Sequence, residues 1–203
     1  MKKLFIFILF LPLLCACTKK PLFHNSKAPD IVAFGDSLTY GLGVSRDNAY
    51  PTVLSQLAGR EIVNLGVSGN TAQQGAMRMH DIGKSMPCMV LIEFGGNDLL
   101  QNRPIEETRK ALEEIIDYVH GLNAMAVIVD TGGNYQMSRY TKMMKKLAKK
   151  KRALFIPGIM DGIFSDKSLK SDILHPNEKG YEIIANKVYE ALKPYLKNQE
   201  EKK

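Results

Sequence analysis

The sequence is poor in the features that mark disulfide-bonded, membrane-spanning and repeat proteins. It contains only three cysteines, Cys15, Cys17 and Cys88. Its longest apolar run lies near the amino terminus and is shorter than the about 20 residues that span a bilayer. There is no internal repeat and no low-complexity segment. A chain of 203 residues is therefore expected to form one domain with a full hydrophobic core.

The amino terminus has the parts of a secretory signal. Two lysines precede an apolar run at 4–14, and Cys15-Ala16-Cys17 follows it. The segment 14–17 also resembles a bacterial lipobox, in which the last cysteine becomes the lipidated first residue of the mature protein. We therefore expect a lipoprotein signal at 1–16, lipid on Cys17, a tether at 17–29 and a folded domain at 30–203. An ordinary cleaved signal is the alternative.

Lipidation has consequences for location and for the remaining thiol. Thr18 would be the second mature residue, where an aspartate would signal retention. Thr18 therefore predicts the outer membrane, on its periplasmic face, in a Gram-negative host. Cys88 would be the one free thiol, so no intramolecular disulfide is expected although export would permit one. Cys88 precedes an apolar run, which favours a small buried side chain over a reactive one.

The chain has a basic net charge, which by itself excludes few classes of function. The formal net charge is +7, and much of it comes from seven basic residues between Lys142 and Arg152. A solvated helix face explains this cluster, and attraction to an anionic membrane surface is the alternative. The export signal disfavours nucleic-acid binding. No histidine spacing suggests metal ligation, so neither a metal nor a cofactor is predicted, and the oligomeric state is left open.

Short apolar runs alternate with helical patterns from residue 30 onward. The runs are near-continuous, which is typical of strands buried on both faces of a parallel sheet. Strands are predicted at 31–34, 61–65, 89–94, 125–130 and 153–157, and helices at 49–58, 71–84, 105–122, 138–151 and 177–196. This alternation predicts an α/β fold with helices on both faces of the sheet. Ligands then bind outside the carboxyl ends of the strands.

Two motifs follow the first two strands. Gly35-Asp36-Ser37-Leu38-Thr39 places a serine at a tight strand-to-helix turn, near free backbone N–H groups that suit a nucleophile. Asp36 and Ser37 could equally be helix caps. The segment 64–71 carries Gly66 and Gly69, which allow close backbone approach, and Thr71 could cap the next helix. A plain loop is the alternative.

Two further motifs follow later strands. Glu93-Phe94-Gly95-Gly96-Asn97-Asp98 puts the Asn97 amide at the mouth of the sheet, where it could donate to a developing negative charge. Asp98 is expected to cap the following helix. In the segment 172–176, Asp172 stands three residues before His175, close enough to reach its Nδ1. Pro176 suits the first turn of the last helix.

Together the four motifs resemble the signature blocks of the SGNH, or GDSL, hydrolase family. They occur in the family's order, and the resemblance runs over most of residues 30–196. The segments 64–75, 91–99 and 134–135 look particularly like the arylesterase and acyl-CoA thioesterase branch, whose members also act as lysophospholipases. The resemblance implies a three-layer α/β/α sandwich with a five-stranded parallel sheet, flavodoxin-like, and an enzyme that needs no metal.

The resemblance also implies a role for each matching residue. Ser37 matches the nucleophile, His175 the base and Asp172 the group that orients the base. The oxyanion hole would be formed by the N–H groups of Ser37 and Gly69, not Gly66, and by the Asn97 side chain. The expected reaction is hydrolysis of acyl esters or thioesters through an acyl-enzyme.

One departure leaves the substrate open. Small residues, Thr131-Gly132-Gly133, stand where the thioesterase branch is bulkier and carries a proline. The loop should border the site, so acyl preference is uncertain. A carbohydrate O-acetylesterase of the cell envelope, acyl transfer to an alcohol, and a catalytically silent surface-binding lipoprotein are the alternatives. All five residues that the family site requires are present, namely Ser37, Gly69, Asn97, Asp172 and His175, which argues against a catalytically silent protein.

Overall fold

The computed structural model describes residues 20–22 and 30–196. The predicted signal, the lipidation site at Cys17 and most of the tether lie outside these residues. Within them, no helix combines the length and the hydrophobicity needed to cross a membrane.

A five-stranded parallel sheet forms the centre of the domain. Its strands are β1 (Ile31–Gly35), β2 (Ile62–Asn64), β3 (Met89–Glu93), β4 (Met125–Val129) and β5 (Leu154–Ile156), in the order β2-β1-β3-β4-β5. Every strand predicted from an apolar run is present. The runs at β1, β3 and β4 are buried throughout, as strands covered on both faces must be.

Eight α-helices connect and cover the strands in the described part of the chain. They are α1 (Ser37–Tyr40), α2 (Tyr50–Ala58), α3 (Ala72–Met77), α4 (His80–Gly83), α5 (Gly96–Leu100), α6 (Ile105–Gly121), α7 (Ser138–Lys151) and α8 (Glu178–Leu196). Short 3₁₀ turns lie at Arg46–Asn48, Tyr135–Met137 and Lys167–Leu169.

The helices form two layers with separate apolar cores, so the three-layer α/β/α prediction is confirmed. One core joins the sheet to α2 and α8 and contains Tyr50 and Tyr181. The other joins the sheet to α3, α6 and α7 and contains Phe34 and Phe94. The predicted small buried thiol Cys88 is fully buried in the first core.

The helix predicted at 71–84 is wrong as a single element, because the chain breaks between α3 and α4. Arg78 leaves helical geometry, with φ −112° and ψ 13°. Its guanidinium donates to the carbonyl oxygens of Leu65 and Gly35, each at 2.9 Å. These bonds tie α3 to the ends of β1 and β2, and such tertiary contacts override a local helical pattern.

The strand order creates a crevice at the carboxyl edge of the sheet. The chain leaves β1 toward β2 on one side, and β3 returns to pair with β1 on the other. Successive connections therefore diverge between β1 and β3, which is where ligands bind in open α/β sheets. The motifs at Ser37 and Asn97 follow these two strands.

Candidate active site

Ser37 lies at the first position of a four-residue helix directly after β1. Asp36 caps this helix, because its Oδ1 accepts a hydrogen bond from the N–H of Leu38 at 3.1 Å. The helix ends at Gly41, which has a left-handed backbone with φ 91°. The turn thus holds the serine hydroxyl at the edge of the sheet. Asp36 is the cap and Ser37 is not, and Ser37 is largely buried, with 8% of its surface exposed.

His175 bridges Ser37 and Asp172. Its Nε2 lies 3.1 Å from the Ser37 Oγ, and its Nδ1 lies 2.8 Å from the Asp172 Oδ2. The sequence separates Ser37 from His175 by 138 positions, and the fold brings them into hydrogen-bond distance. This geometry lets a proton pass from the hydroxyl to the imidazole while the carboxylate supports the resulting cation.

Hydrogen bonds within the loop that carries Asp172 and His175 hold its backbone in place. The N–H groups of Leu174 and His175 both donate to Asp172 Oδ1 at 2.7 Å. Ser171 N donates to the carbonyl oxygen of His175 at 2.9 Å. Pro176 precedes the cap of α8 and does not lie in its first turn, since α8 begins at Glu178. The proline therefore belongs to the loop, which corrects the prediction.

The Asp172 carboxylate is kept ionised by its own loop. Burial would raise its pKa, but the N–H groups of His175 and Leu174 and the His175 ring outweigh burial and lower the pKa to about 2. A depressed carboxyl pKa stabilises the loop above the pKa of the unfolded chain, and this contribution disappears as the pH falls toward 2. Asp172 is consequently an anion throughout the neutral range.

Gly66 and Gly69 have different structural reasons to be glycine. A Cβ on Gly66 would lie 2.2 Å from the backbone nitrogen of Tyr40, so Gly66 lets the loop after β2 pack against α1. Gly69 has φ +81°, and its missing side chain would meet nothing within 4 Å. Gly69, not Gly66, lines the cleft beside Ser37. Its left-handed backbone sets the direction of the loop at the site.

Asn97 faces the same cleft from α5 and is held by two acceptors. Its Nδ2 donates to Asp36 Oδ2 and to the carbonyl oxygen of Asn70, each at 3.1 Å. The neighbouring Asp98 accepts from the N–H of Ala72 at 3.0 Å and from Thr108 Oγ1 at 2.8 Å. Asp98 thus joins α3 to α6, which corrects the expectation that it would cap the helix after its own motif.

The cleft above these residues has a volume of about 240 Å³ and largely apolar walls. Ser37, Gly69, Asn97 and His175 lie at one part of its lining. The apolar side chains are Leu38, Leu42, Leu99, Leu100, Met137, Met160, Phe164 and Leu174. Thr131 and Gly132 also line it, so the loop that departs from the thioesterase branch borders the site as expected. Such walls suit an apolar group.

The rim of the site also carries apolar side chains. Among the described residues, large apolar side chains are exposed to solvent soon after each strand, namely Tyr40, Val67, Leu100, Tyr135, Ile173 and Leu174. The most exposed of them are Tyr135 at 92% and Ile173 at 81%. Of the whole set, Leu100 and Leu174 line the cleft, and scattered exposed apolar residues elsewhere are ordinary.

Comparison with known proteins decides the family. The model of the GDSL-like Lipase/Acylhydrolase family matches residues 33–183. The chain belongs to this family. Like other GDSL-like acylhydrolases it is an ester-hydrolysing enzyme, and the family expectation drawn from its four motifs is confirmed.

Two curated relatives and one solved structure illustrate the similarity. Thioesterase 1/protease 1/lysophospholipase L1 of Escherichia coli K12 is 28% identical over 183 residues, covering 86% of this chain and 88% of the relative. The arylesterase of Vibrio mimicus is 26% identical over 179 residues, covering 82% and 89%. The esterase EstA of Pseudoalteromonas sp., in a structure inhibited by monoethylphosphonate, superposes with TM-score 0.73 and 26% identity, covering 84% and 100%.

Two buried acidic groups lie near the site of this GDSL-like acylhydrolase and are not among the residues predicted from the sequence. Glu93 is the last residue of β3 and is fully buried, and Asp36, predicted only as a helix cap, is 3% exposed. A charged residue inside a strand buried on both faces is itself a signal, because a buried carboxyl group needs hydrogen-bond partners. Among the described residues, no cluster of histidine, cysteine, aspartate and glutamate could hold a metal ion.

Proposed function

We propose that this GDSL-like acylhydrolase cleaves acyl esters or thioesters with Ser37 as nucleophile, His175 as base and Asp172 as the group that orients it. The observation that carries the proposal is the continuous hydrogen-bond chain Ser37–His175–Asp172 at the floor of an apolar cleft. A serine hydroxyl is a weak nucleophile by itself and needs an adjacent base of this kind.

The reaction proceeds in two halves. His175 Nε2 takes the Ser37 proton as Oγ attacks the carbonyl carbon, and the oxyanion accepts from the N–H groups of Ser37 and Gly69 and from Asn97. The protonated His175 gives its proton to the leaving alcohol or thiol, which leaves an acyl ester on Ser37. Water then attacks this ester with His175 again as base, releasing the acid and regenerating the hydroxyl.

An apolar acyl group is the substrate feature that the cleft favours. Most of its lining is apolar, with Ser68, Asn134 and Gln136 as polar neighbours, and Leu100 and Leu174 extend the apolar character to solvent-exposed positions. The relatives named as thioesterase, lysophospholipase and arylesterase support the same class. A carbohydrate esterase should instead present polar side chains to sugar hydroxyl groups. Lipid-derived esters and thioesters are therefore the substrates we propose.

A chain-length series tests this proposal. Each buried methylene contributes about 0.8 kcal/mol, so kcat/KM for p-nitrophenyl esters should rise roughly tenfold for each two carbons until the cleft is filled. Leu100→Ser removes one exposed apolar wall and should reduce this gain for octanoate while acetate hydrolysis stays close to wild type. A steady fall in kcat/KM from acetate to decanoate, with release of acetate from acetylated xylan or peptidoglycan, would promote the O-acetylesterase alternative.

We further propose that Cys17 is lipidated and tethers the domain to the cell envelope. Residues 20–22, which belong to the predicted tether, contact the domain, because Leu22 N donates to the carbonyl oxygen of Arg152 at 2.8 Å and Arg152 Nε donates to the carbonyl of Lys20 at 3.2 Å. The chain thus meets the domain at the basic carboxyl end of α7. Attraction between these basic side chains and anionic lipid would add to the anchor.

Replacement of the anchor cysteine tests the tether. Cys17→Ala should move the protein from the membrane fraction to the soluble fraction of the cell envelope, because the apolar run at 4–14 is too short to span a bilayer. Cys15→Ala is the matched control and should remain with membranes. Membrane fractionation of Cys17→Ala after signal cleavage would mean that lipid on Cys17 is not what holds the protein.

A further inference from the structure

The outer face of α7 carries an unbalanced positive charge. The helix contains Arg139 and six lysines but no acidic residue. The formal net charge of the whole chain is +7, so the remaining acidic and basic residues balance one another. The exposed residues of α7 are all basic, namely Arg139, Lys142, Lys145, Lys146, Lys149 and Lys150. The positive charge is therefore concentrated on one surface of the domain.

Most of this charge is not neutralised within the protein. Glu113 of α6 pairs with Lys150 at 2.8 Å and with Lys151 at 3.0 Å, and Asp117 pairs with Lys151 at 2.8 Å. In the part of the chain that the structure describes, the other exposed basic residues of α7 form no salt bridge: Arg139, Lys142, Lys145, Lys146 and Lys149. Like charges on neighbouring turns of a helix repel one another, and an anionic partner would remove this repulsion.

A groove beside this face combines positive charge with an apolar floor. It lies between α6 and α7 and has a volume of about 420 Å³. Its floor consists of Ile105, Met143 and Leu147. The basic residues around it are Arg109, Arg139, Lys142, Lys146 and Lys150. A phospholipid with an anionic headgroup has the same two parts, a negative charge next to a hydrocarbon chain, whereas a simple polyanion would leave the floor uncovered.

The predicted tether meets the domain at one end of this face. Leu22 and Lys20 contact Arg152, which directly follows the last residue of α7. Three positions separate Lys20 from the proposed lipidated Cys17, and three residues span at most about 11 Å. A lipid on Cys17 would therefore enter the membrane close to the carboxyl end of α7.

The cleft lies at the other end of α7. Met137 precedes the first residue of the helix and lines the cleft, and its neighbours Asn134 and Gln136 also line it. The 14 residues of α7 rise by about 21 Å. Tyr135, in the turn before the helix, is 92% exposed, and a tyrosine suits a membrane interface because its ring is apolar and its hydroxyl polar. A domain lying along α7 brings the anchor and the cleft rim to the same surface.

We propose that the basic face of α7 and the groove between α6 and α7 bind an anionic phospholipid surface and hold the domain on its side, so that the cleft opens at the lipid surface. Clusters of four to eight basic residues on an amphipathic helix are typical of such binding. The orientation rests on the proposed lipidation of Cys17, but the binding surface does not. Ester substrates held in the membrane would then reach Ser37 without crossing bulk water.

Vesicle sedimentation tests the binding surface without the lipid anchor. The predicted mature chain, residues 17–203 with Cys17→Ala, carries no lipid. Each basic residue near an anionic surface adds roughly a fivefold gain, so binding to vesicles with about 30% phosphatidylglycerol should exceed binding to phosphatidylcholine vesicles by at least about a hundredfold. In about 0.5 M salt the screening length falls to about 4 Å, and the preference should disappear. Equal binding to both vesicles at low salt would overturn the proposal.

A matched pair of triple variants tests the location of the surface. Glutamine at Arg139, Lys142 and Lys146 should weaken binding to the anionic vesicles by about thirtyfold or more. Glutamine at Arg46, Lys167 and Lys179, which are exposed and lie outside α7, removes the same charge and should weaken binding by less than about threefold. Equal losses in the two variants would overturn the proposal. Unchanged hydrolysis of p-nitrophenyl butyrate in both variants shows that they are folded.

The orientation can be measured because the chain contains no tryptophan. In the same mature chain bound to anionic vesicles, the indole of Tyr135→Trp should shift its emission to the blue and be quenched by brominated lipid. Ile183→Trp is the control, because Ile183 is exposed on α8, across the sheet from α7. Quenching of Ile183→Trp, or none of Tyr135→Trp, would overturn the orientation. Tighter binding to heparin than to the vesicles, per mole of negative charge, would make a polyanion the partner and overturn the proposal.

The anchor and the binding surface fail in different ways. Binding through α7 alone is reversible and released by salt, so it does not hold Cys17→Ala in salt-washed membranes. If Cys17→Ala leaves these membranes but the mature chain binds both kinds of vesicle equally, only this inference fails. If mass spectrometry finds no lipid on Cys17 while charge-dependent binding persists, the proposed anchor fails and the binding surface is supported.

Discussion

Replacement of Ser37 or His175 by alanine should lower the rate of ester hydrolysis by on the order of 10⁴ to 10⁶. Ser37 would supply the bond to the acyl group, and His175 is the group within reach of its proton, at 3.1 Å. Members of such a unit do not contribute additively, so the double variant should be no slower than either single one by more than a small factor. The measurement is kcat/KM on p-nitrophenyl butyrate with purified protein.

Both substitutions should leave the domain folded, because neither side chain belongs to the two apolar cores. Circular dichroism and the thermal midpoint provide that check. Ser85→Ala and His80→Ala are matched controls outside the cleft and should keep wild-type activity. A fluorophosphonate probe should label the wild type and not Ser37→Ala. Retention of more than about a tenth of the activity by Ser37→Ala would reject Ser37 as the nucleophile.

Asn97→Ala should lower kcat by about 10² to 10³ with little change in KM. The amide faces the cleft and would donate to a charge that exists only as the tetrahedral intermediate forms. Its loss therefore weakens binding of the transition state and not of the ground-state ester. The measurement is the separate determination of kcat and KM on the same soluble ester.

A different kinetic result for Asn97→Ala would assign Asn97 another role. An increase in KM at constant kcat would make Asn97 a ground-state binding residue and remove it from the oxyanion hole. Asn186→Ala is a suitable control, because Asn186 is exposed on α8 and bonds only within that helix, to the carbonyl of Glu182 at 2.8 Å. It should change neither parameter.

Local sequence was sufficient to predict the sheet and the position of the site motifs. Strands β1, β3 and β4 are continuous apolar runs because helices cover both faces, and this makes their positions evident without homologous sequences. The polar motifs follow directly after strands, so the rule that ligands bind at the carboxyl edge brings Ser37 and Asn97 to one end of the domain.

Features that depend on strand order could not be predicted from the local sequence. Asp36 lies near Glu93 because β1 and β3 are neighbours and Gly35 pairs with Glu93, although 57 positions and β2 separate Asp36 from Glu93 along the chain. The break after α3 likewise depends on carbonyl groups of β1 and of the segment after β2 that accept from Arg78. Periodicity along one segment carries no information on such partners.

The loop that holds Asp172 and His175 fixes the distance between these two side chains, but it does not fix the distance from His175 to Ser37. Both side chains belong to four consecutive residues joined by their own N–H bonds, whereas Ser37 begins α1 on the other side of the cleft. A small displacement of this loop would change the Ser37–His175 distance and preserve the His175–Asp172 contact. Substitutions beneath the loop can therefore adjust the turnover rate through one distance, without altering the tautomer that the carboxylate imposes on the imidazole.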